Sequence, residues 1–411
     1  MHVVVKPSEK LSAITIEESR VQEETADLPR LAGDPSLPYA TAGRPALHAT
    51  VVPVRGSSRP AIVLSVYHSV FDAISIGFFF DDLDGRLSGM THGKVDWIPY
   101  QMYADMVRLD RGGEAGQVNM RYQMEKLKDI DGLSKSLWPR LRGPGLMAGH
   151  DDGWRYANGQ PGKPEERVSL NILAGKERNN FIRDKIELLS LSEMKSTHGI
   201  ETFLLSKAAL AIFNVEETGK PQAVYVSTEA GRSWPFMEPW VQQHLPNIMN
   251  VAGSTRAVSI NVVPIDGKQT AGELLSHLAE AQRQDSLHSQ VPWEAIMEEL
   301  GDRRPVLQDI AARQFINWDS STQARAREDY RALERVNRAA TLDRGIMWNF
   351  GMANPTEMVA FVAYDDVHLA PHEVEQGLQR ILKAVKWFAD PANWDEPLEK
   401  VLQSRLSVQD S

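Results

Sequence analysis

The chain has 411 residues, of which 42% are hydrophobic and 24% charged; its formal net charge is −10 and it contains no cysteine. This balance is typical of a soluble globular protein, and the length suits two domains of about 200 residues each. The absence of cysteine excludes disulfides, a thiol nucleophile and a thiolate-held zinc ion.

Charge and hydropathy also limit the partners that we expect. The acidic chain contains no dense Lys/Arg tract, whereas a protein that binds nucleic acid needs a basic face to neutralise phosphates. No apolar run is long enough to span a bilayer, and the N-terminal residues lack the basic-then-apolar layout of a secretory signal. We therefore expect a cytoplasmic protein that binds neither nucleic acid nor a membrane.

The first clear elements are a hairpin and a helix. Residues 46–54 alternate well enough for a strand, and residues 61–66 form a second apolar run after a Gly-Ser-Ser-Arg-Pro turn. Residues 72–83 then have helical spacing, with Asp72 or Ser75 as the N-cap. This pattern predicts that His68 lies in a short loop between a buried strand and the start of a helix.

The middle of the chain separates two regions of alternating elements. Residues 99–127 are helical in pattern, and residues 140–180 are loop-rich, with recurring Gly and Pro. We place a domain boundary in that loop-rich stretch, which gives domains of residues 1–165 and 166–411.

The second half again alternates strands and helices, which predicts α/β layering. We expect strands at residues 223–227, 257–264 and 357–364, a further apolar-polar run from Phe181, and helices at residues 192–198, 201–213, 270–287 and 372–388.

The segment Tyr67-His-Ser-Val-Phe-Asp-Ala73 carries the first candidate for chemistry. Imidazole titrates near neutrality, so a positioned histidine is the usual proton acceptor for an attacking amine or hydroxyl. The His-x-x-x-Asp spacing is not specific by itself, because His92 and Asp96 share it. On spacing alone, a half-buried structural histidine is the alternative interpretation of His68.

The order of further segments changes that interpretation. They are Tyr103-Ala-Asp105, Gly231-Arg232, Asn261-Val-Val-Pro264, His288-Ser-Gln-Val-Pro-Trp-Glu294 and Phe315-Ile-Asn-Trp318. In this order and spacing, together with the His68 segment, they resemble the motifs of the condensation domains of nonribosomal peptide synthetases. That family belongs to the chloramphenicol acetyltransferase-like superfamily of CoA-dependent acyltransferases.

The resemblance implies an α/β fold of two acyltransferase-like lobes in a V-shaped pseudo-dimer, with a tunnel between them and His68 at its middle. The family also carries N-terminal Ser-x-Ala-Gln and Arg-His-Glu-x-Leu-Arg segments, which this sequence lacks. We therefore expect the first lobe to be trimmed. Tyr67 and Ala73 stand where the family motif has His and Gly.

Residue roles follow from the resemblance position by position. His68 matches the functional histidine, and Asp72 matches the aspartate that holds the active-site loop. Arg232 matches the arginine that pairs with this aspartate across the lobes, with a surface cation as the alternative. Asn261 falls on the strand near the tunnel, either as a substrate contact or as a strand residue bonded to backbone. Tyr67 is a further candidate for substrate binding.

Several aromatic residues are candidates for lining an apolar substrate channel. Trp234 and Phe236 lie in an unusually aromatic segment, and Trp293 belongs to the segment from His288 to Glu294. Trp348 lies where related plant and fungal acyltransferases carry Asp-Phe-Gly-Trp-Gly. A packing role is the alternative for each of them, and a plain strand is the alternative for the segment around Trp348.

Three functions remain open from the sequence. In the first, His68 is the general base for transfer of an acyl group from a CoA or carrier-bound thioester to an amine or hydroxyl. In the second, the same pocket cyclises or isomerises a polyketide or peptide intermediate. In the third, the chain is a non-catalytic synthase partner. We expect no metal and no cofactor. The sequence has no adenylation region and no carrier-protein serine motif, so a donor comes in trans.

Overall fold

The structure is a computed structural model. It describes residues 14–18, 23–24, 27–31, 47–66, 71–89, 97–139, 146–148, 154–156, 181–188, 194, 198–229, 231–232, 243, 245, 247–318, 333, 344–364 and 369–402.

Strands and helices alternate through these residues, as the sequence predicts. The strands are β1 (Ile14–Glu18), β2 (Leu47–Val52), β3 (Ala61–Val66), β4 (Ile98–Pro99), β5 (Leu146–Ala148), β6 (Trp154–Tyr156), β7 (Phe181–Glu187), β8 (Gln222–Glu229), β9 (Val251–Ala252), β10 (Ala257–Pro264), β11 (Gln314–Trp318), β12 (Ile346–Asn354) and β13 (Glu357–Tyr364). The helices are α1 (Leu28–Leu31), α2 (Ala73–Leu87), α3 (Tyr100–Gly112), α4 (Glu114–Lys126), α5 (Ile130–Leu133), α6 (Thr202–Thr218), α7 (Ala271–Leu287), α8 (Trp293–Leu300), α9 (Arg304–Arg313), α10 (Pro371–Phe388) and α11 (Glu399–Leu402).

A three-stranded sheet carries the segment that leads to His68. Its strand order is β1-β2-β3, with β2 and β3 antiparallel and β1 parallel to β2. The predicted hairpin is therefore confirmed. Its central strand β2 is buried along most of its length, because neighbours cover it on both sides, and even its polar His48 and Thr50 are buried.

A six-stranded mixed sheet forms the larger body, in the order β10-β8-β11-β12-β13-β7. Its centre is parallel, since β8, β11 and β12 run in one direction, and antiparallel strands flank them on either side. Side chains alternate between the two faces of each strand. In β8, Ala223 and Tyr225 join the core on one face, while Val224 and Val226 join the core on the other.

Helices cover the two faces of this sheet unequally. The larger core packs α6, α7 and α10 onto one face. The α10 helix buries a stripe of residues at helical spacing, including Val374, Leu378, Ile381 and Val385, as an amphipathic helix does when it packs on a sheet. The smaller core packs residues of α5, α8 and α9, with Leu127 at the end of α4, onto the other face near β8, β10 and β11.

Two details of the predicted helices differ from the structure. The predicted helix at residues 99–127 is two helices, α3 and α4, separated at Gly113, which has an extended backbone. Two consecutive glycines, Gly112 and Gly113, lower the helix propensity at this point. The helix predicted at residues 201–213 continues to Thr218 and ends at Gly219, whose φ of 64° suits a glycine cap.

Elements from before and after the predicted domain boundary contact each other directly. Strand β4 pairs with β9 in a small parallel sheet. On α4, Tyr122 and Lys126 both bond the carboxylate of Asp285 near the end of α7. The boundary near residue 165, the V shape with its tunnel and the trimming of the first lobe stay predictions, whereas the α/β class is confirmed. No helix in the described part of the chain is long and apolar enough to cross a membrane.

Candidate functional site

Asp72 begins helix α2, as the sequence predicts. Its Oδ1 accepts hydrogen bonds from the backbone N–H groups of Ile74, at 3.1 Å, and Ser75, at 2.7 Å. The Ser75 hydroxyl in turn accepts from the N–H of Asp72 at 2.9 Å, which completes a capping box. These bonds fix the backbone at the start of α2, four residues after His68 in the sequence.

Arg232 reaches Asp72 although 160 residues separate them in the chain. Its Nη2 donates to Oδ1 at 2.9 Å and to Oδ2 at 2.8 Å, and the Arg232 and Asp72 side chains are only 2% and 10% exposed. The guanidinium also donates to four backbone carbonyls. Nη1 bonds those of Ile248, Met249 and Val251 at 3.0 to 3.2 Å, and Nη2 bonds that of Gly253 at 2.9 Å. Arg232 thereby ties the segment at residues 248–253 to the start of α2.

Gly231 and Thr255 complete this junction. Gly231 has a φ of +61°, and a Cβ there would lie 1.6 Å from the carbonyl oxygen of Thr255, so the position admits only glycine. The N–H and hydroxyl of Thr255 donate to Oδ2 of Asp72 at 3.2 and 3.3 Å. Sequence reasoning missed Thr255, which lies six residues before the candidate Asn261.

The electrostatics keep Asp72 ionised. Burial raises the pKa of this carboxyl, but the hydrogen bond from the Ser75 N–H, the charge of Arg232 and the bonds from the Ser75 hydroxyl and the Thr255 N–H outweigh it. The net effect lowers the pKa of Asp72 below its ordinary value. A carboxylate that is ionised and surrounded by donors is a structural anion and a poor proton acceptor.

Two further motif residues meet behind this junction. The Tyr103 hydroxyl donates to Oε1 of Gln290 at 3.3 Å across 187 residues of sequence. Burial raises the pKa of Tyr103, and the neighbouring Tyr100 adds to the shift. The ring of Tyr100 lies so close to Gly253 that a Cβ there would be 2.4 Å from it. Helix α3 therefore supports the segment that binds Arg232.

Asn261 lies on the face of β10 that α6 and α7 cover. Its Nδ2 donates to the Ser227 hydroxyl at 2.9 Å and to the Tyr225 carbonyl at 3.3 Å, and its Oδ1 accepts from Nζ of Lys207 at 2.9 Å. Lys207 also bonds Gln282, and these side chains border a cavity of 30 Å³, which has room for about two water molecules. Asn261 is thus bonded to Tyr225, Ser227 and Lys207 within the fold, and a contact with substrate stays a prediction.

Trp348 and Trp293 occupy packing positions. Trp348 is 0% exposed and lies between Trp138, at 6.1 Å between ring centroids, and Phe213, at 5.9 Å. It faces the larger core because it alternates with Ile346 and Phe350 on the same side of β12. The plain strand, and not the substrate channel, fits its position. Trp293, at the start of α8, is half-buried against the smaller core.

The remaining candidates, His68, Tyr67, Trp234 and Phe236, lie outside the described residues. In the sequence, His68 follows β3, which ends at Val66, and precedes the Asp72 cap of α2. Its catalytic role stays a prediction. Among the residues that the structure describes, no group of three or more His, Asp or Glu side chains could hold a metal ion.

Solved structures of known proteins support the fold. No protein-family model matches the chain, and no curated protein matches it. Among solved structures, a variant of the starter condensation domain of the rhizomide synthetase RzmA aligns with a TM-score of 0.60 and 10% identity, over 94% of this chain and 80% of that one. The first condensation domain of the calcium-dependent antibiotic synthetase aligns with a TM-score of 0.58 and 12% identity, over 94% and 77%.

A further RzmA variant, in complex with C8-CoA, aligns with a TM-score of 0.60 and 11% identity, over 94% of this chain and 79% of that one. At these identities the likeness concerns the fold, and it extends over nearly the whole chain. It agrees with the family that the motif order in the sequence indicates. The chain has the fold of the condensation domains of nonribosomal peptide synthetases.

Proposed function

We propose that this chain is a condensation-type enzyme that transfers an acyl group from a thioester to an amine or hydroxyl, with His68 as the general base. The observation that carries the proposal is the buried pair of Asp72 and Arg232 at the start of α2. This pair fixes the residue at the end of the His68 loop in a chain that has the condensation-domain fold.

The described residues divide the work of the site. Asp72 is ionised and its oxygens already accept seven bonds from Ile74, Ser75, Arg232 and Thr255, so it positions the loop and does not take the substrate proton. His68, four residues earlier in the sequence, is the residue that we propose for this role. An imidazole with a pKa near 6.5 suits a base at neutral pH.

In the proposed reaction, His68 removes the proton of the acceptor amine or hydroxyl as its nitrogen or oxygen attacks the thioester carbonyl. The new C–N or C–O bond forms, the C–S bond breaks, and the thiol leaves with the proton that His68 returns. A positioned base of this kind contributes about 10² to 10⁴ in rate. No metal and no redox partner is needed to balance the step.

The solved neighbours suggest the substrates to try first. Variants of the RzmA starter domain were crystallised with C8-CoA and with C8-CoA together with Leu-SNAC. For this chain we propose an acyl-CoA or carrier-bound acyl donor that is supplied in trans, and an aminoacyl thioester or other amine as the acceptor. A synthase partner that delivers one of them in the cytoplasm is part of the proposal.

The test compares purified wild type with His68→Ala and His92→Ala. His92 is the matched control because it shares the His-x-x-x-Asp spacing. Each protein is incubated with octanoyl-CoA and the N-acetylcysteamine thioester of leucine, and the amide product is followed by mass spectrometry. Transfer by wild type and by His92→Ala, with a loss of about 10² or more in His68→Ala, supports the proposal. Equal rates in all three proteins contradict it.

A parallel incubation distinguishes the other two functions. A linear acyl-peptide thioester is supplied without an acceptor. A product that has lost the thiol and carries a new internal bond indicates cyclisation, and a product of unchanged mass with a shifted retention time indicates isomerisation. Absence of any conversion in both incubations leaves a non-catalytic partner and contradicts the proposed reaction.

A further inference from the structure

A row of hydrogen-bonded polar side chains crosses the parallel centre of the large sheet. Thr228 on β8, Asn317 on β11 and Asn349 on β12 are register partners on adjacent strands. The Thr228 hydroxyl donates to Oδ1 of Asn317 at 2.9 Å, and Nδ2 of Asn317 donates to Oδ1 of Asn349 at 3.3 Å. Nδ2 of Asn349 then donates to the carbonyl of Phe361 on β13 at 3.1 Å. We call these three side chains the amide row.

The bonds within the amide row orient both amide groups and leave hydrogen-bonding capacity. Each amide nitrogen carries two hydrogens. Among the described residues, Asn317 uses one of them on Asn349, and Asn349 uses one on the carbonyl of Phe361. No described residue accepts a hydrogen bond from the second N–H group of Asn317 or Asn349. The two residues stand on adjacent strands, whose backbones lie about 5 Å apart. Both residues are only partly buried, so a ligand can reach them.

The position of the amide row connects it with the Asp72–Arg232 junction. Thr228 lies four residues before Arg232 at the end of β8. Its register partner on β10, Val258, lies three residues after Thr255, which donates to Asp72. The row also lies near the carboxyl ends of β8 and β11, and such ends are where open α/β sheets bind ligands.

Beyond Asn349, the same sheet face continues onto β13 and β7, where it carries two aromatic rings and a cation. Phe361 and Phe181 stack at 4.9 Å between ring centroids, and they are 38% and 42% exposed. Arg183, the register partner of Phe361 on the edge strand β7, is also exposed. One sheet face therefore carries aromatic surface and a cation on β13 and β7, and two oriented amides on β11 and β12. On β8, at the opposite end of this row, the chain leads to Arg232.

We propose that the amide row binds an extended, amide-bearing chain of the thioester substrate and holds it across the strands toward the His68 loop. This inference rests on the proposed function, since it names what the same site would recognise. Secondary amides suit the row because each offers a carbonyl to an asparagine N–H. Two parts of a thioester substrate carry such amides: the pantetheine-type thiol arm and a peptidyl acyl group.

The experiment measures binding and not turnover, so that it stands apart from the proposed reaction. Calorimetric titrations use three unreactive probes with the same eight-carbon chain. S-octyl pantetheine carries the two amides of the thiol arm, octanoyl-glycyl-glycine amide carries peptide amides, and S-octyl N-acetylcysteamine carries a single amide. The proteins are wild type, Asn317→Ala, Asn349→Ala and, as the matched control, Asn354→Ala. Asn354 is on the same strand β12, but its side chain bonds Thr356 in the hairpin turn.

We expect wild type and Asn354→Ala to bind at least one of the two multi-amide probes more tightly than the single-amide probe. Asn317→Ala and Asn349→Ala should each weaken that binding by about 3- to 10-fold, the usual net effect of one hydrogen bond. The single-amide probe should respond less. Preference for the pantetheine probe identifies the thiol arm as the source, and preference for the glycyl-glycine probe identifies a peptidyl group.

Two outcomes would overturn the inference. One is unchanged affinity of both asparagine variants for every probe, with melting temperatures that show folded protein. The other is equal weakening for all three probes, which indicates a general loss of structure. The titrations are repeated with His68→Ala. If that variant binds normally while wild type performs no transfer, the proposed reaction fails and the amide row stands.

Discussion

Replacing Arg232 with methionine tests the electrostatic junction on which the site depends. The change removes a guanidinium that is 2% exposed and keeps an unbranched side chain of similar length. It leaves Asp72 as a buried carboxylate without its cation, and it leaves four carbonyls of residues 248–253 without this donor. The junction between α2 and the second half of the chain is then held mainly by Thr255.

The expected cost follows from the burial of the pair. Breaking a buried ion pair by removing one partner costs about 3–5 kcal/mol, because the other charge stays buried. Arg86→Met is the matched control, on helix α2, which Asp72 caps. Arg86 pairs with Asp82 four residues away, but the two side chains are 75% and 44% exposed. An exposed pair at this spacing contributes about 0.3–0.5 kcal/mol. The two variants should therefore differ about tenfold in their free-energy cost.

The assay is a urea titration followed by circular dichroism, and a double-mutant cycle sharpens it. Asp72→Asn keeps a good N-cap for α2 and removes only the charge, so it isolates the pair. We expect the Asp72→Asn/Arg232→Met double variant to be less destabilised than the sum of the two single variants, by about 0.5–3 kcal/mol. If Arg232→Met costs no more than Arg86→Met, or if the single effects add, the junction does not hold the site and the reasoning is refuted.

Three further predictions concern the same structure. The pKa of Asp72 is lower in the folded protein than in the unfolded chain. The stability that wild type gains over Asp72→Asn is therefore present above the unfolded pKa, near 4, and is lost as the pH falls through the folded value. Urea titrations between pH 7 and pH 2.5 should show the unfolding free energies of the two proteins converging at low pH. Gly231→Ala should cost at least about 2 kcal/mol, because φ is positive and the new Cβ meets the Thr255 carbonyl, while Gly77→Ala inside α2, with open space around it, should raise the melting temperature. Trp348→Ala should destabilise the core by about 3–5 kcal/mol, and Trp348→Phe should leave the KM of the acyl donor unchanged, whereas a selective rise in KM with normal stability would restore the substrate-channel interpretation.

Local elements could be predicted from the sequence because their signals are local. The hairpin of β2 and β3, the Asp72 cap and strand β10 all follow from alternation, turn residues and capping residues within a few positions. The break between α3 and α4 depends on two glycines, whose individual cost in a helix is too small to decide the outcome without the tertiary packing around them.

The contact between Asp72 and Arg232, which are distant in the sequence, could be predicted from the order of the motifs. The other bonds of this junction could not be predicted. Resemblance predicts a pairing of Asp72 with Arg232, and the structure shows that contact. The four carbonyls that bind Arg232 and the N–H group of Thr255 are backbone groups, whose positions no residue pattern specifies. The face that Asn261 and Trp348 occupy depends on strand register and sheet order, and β11 enters the sheet between β8 and β12 from far along the chain.

The amide row could not be predicted from the sequence either. Thr228, Asn317 and Asn349 are each unremarkable in sequence, and only the parallel register of three strands brings them together. A polar residue near the end of a predicted strand is a weak signal alone. It becomes informative when the neighbouring strands carry polar residues at the same register.

We propose that His68 is the general base of acyl transfer, close in sequence to the helix start that the Asp72–Arg232 pair holds in place. The rate of amide formation from octanoyl-CoA and the leucine N-acetylcysteamine thioester tests it most directly, measured for wild type, His68→Ala and His92→Ala under identical conditions. We predict that His68→Ala loses about 10² to 10⁴ in rate while His92→Ala keeps the wild-type rate. Equal rates for His68→Ala and wild type, both folded, would contradict the claim.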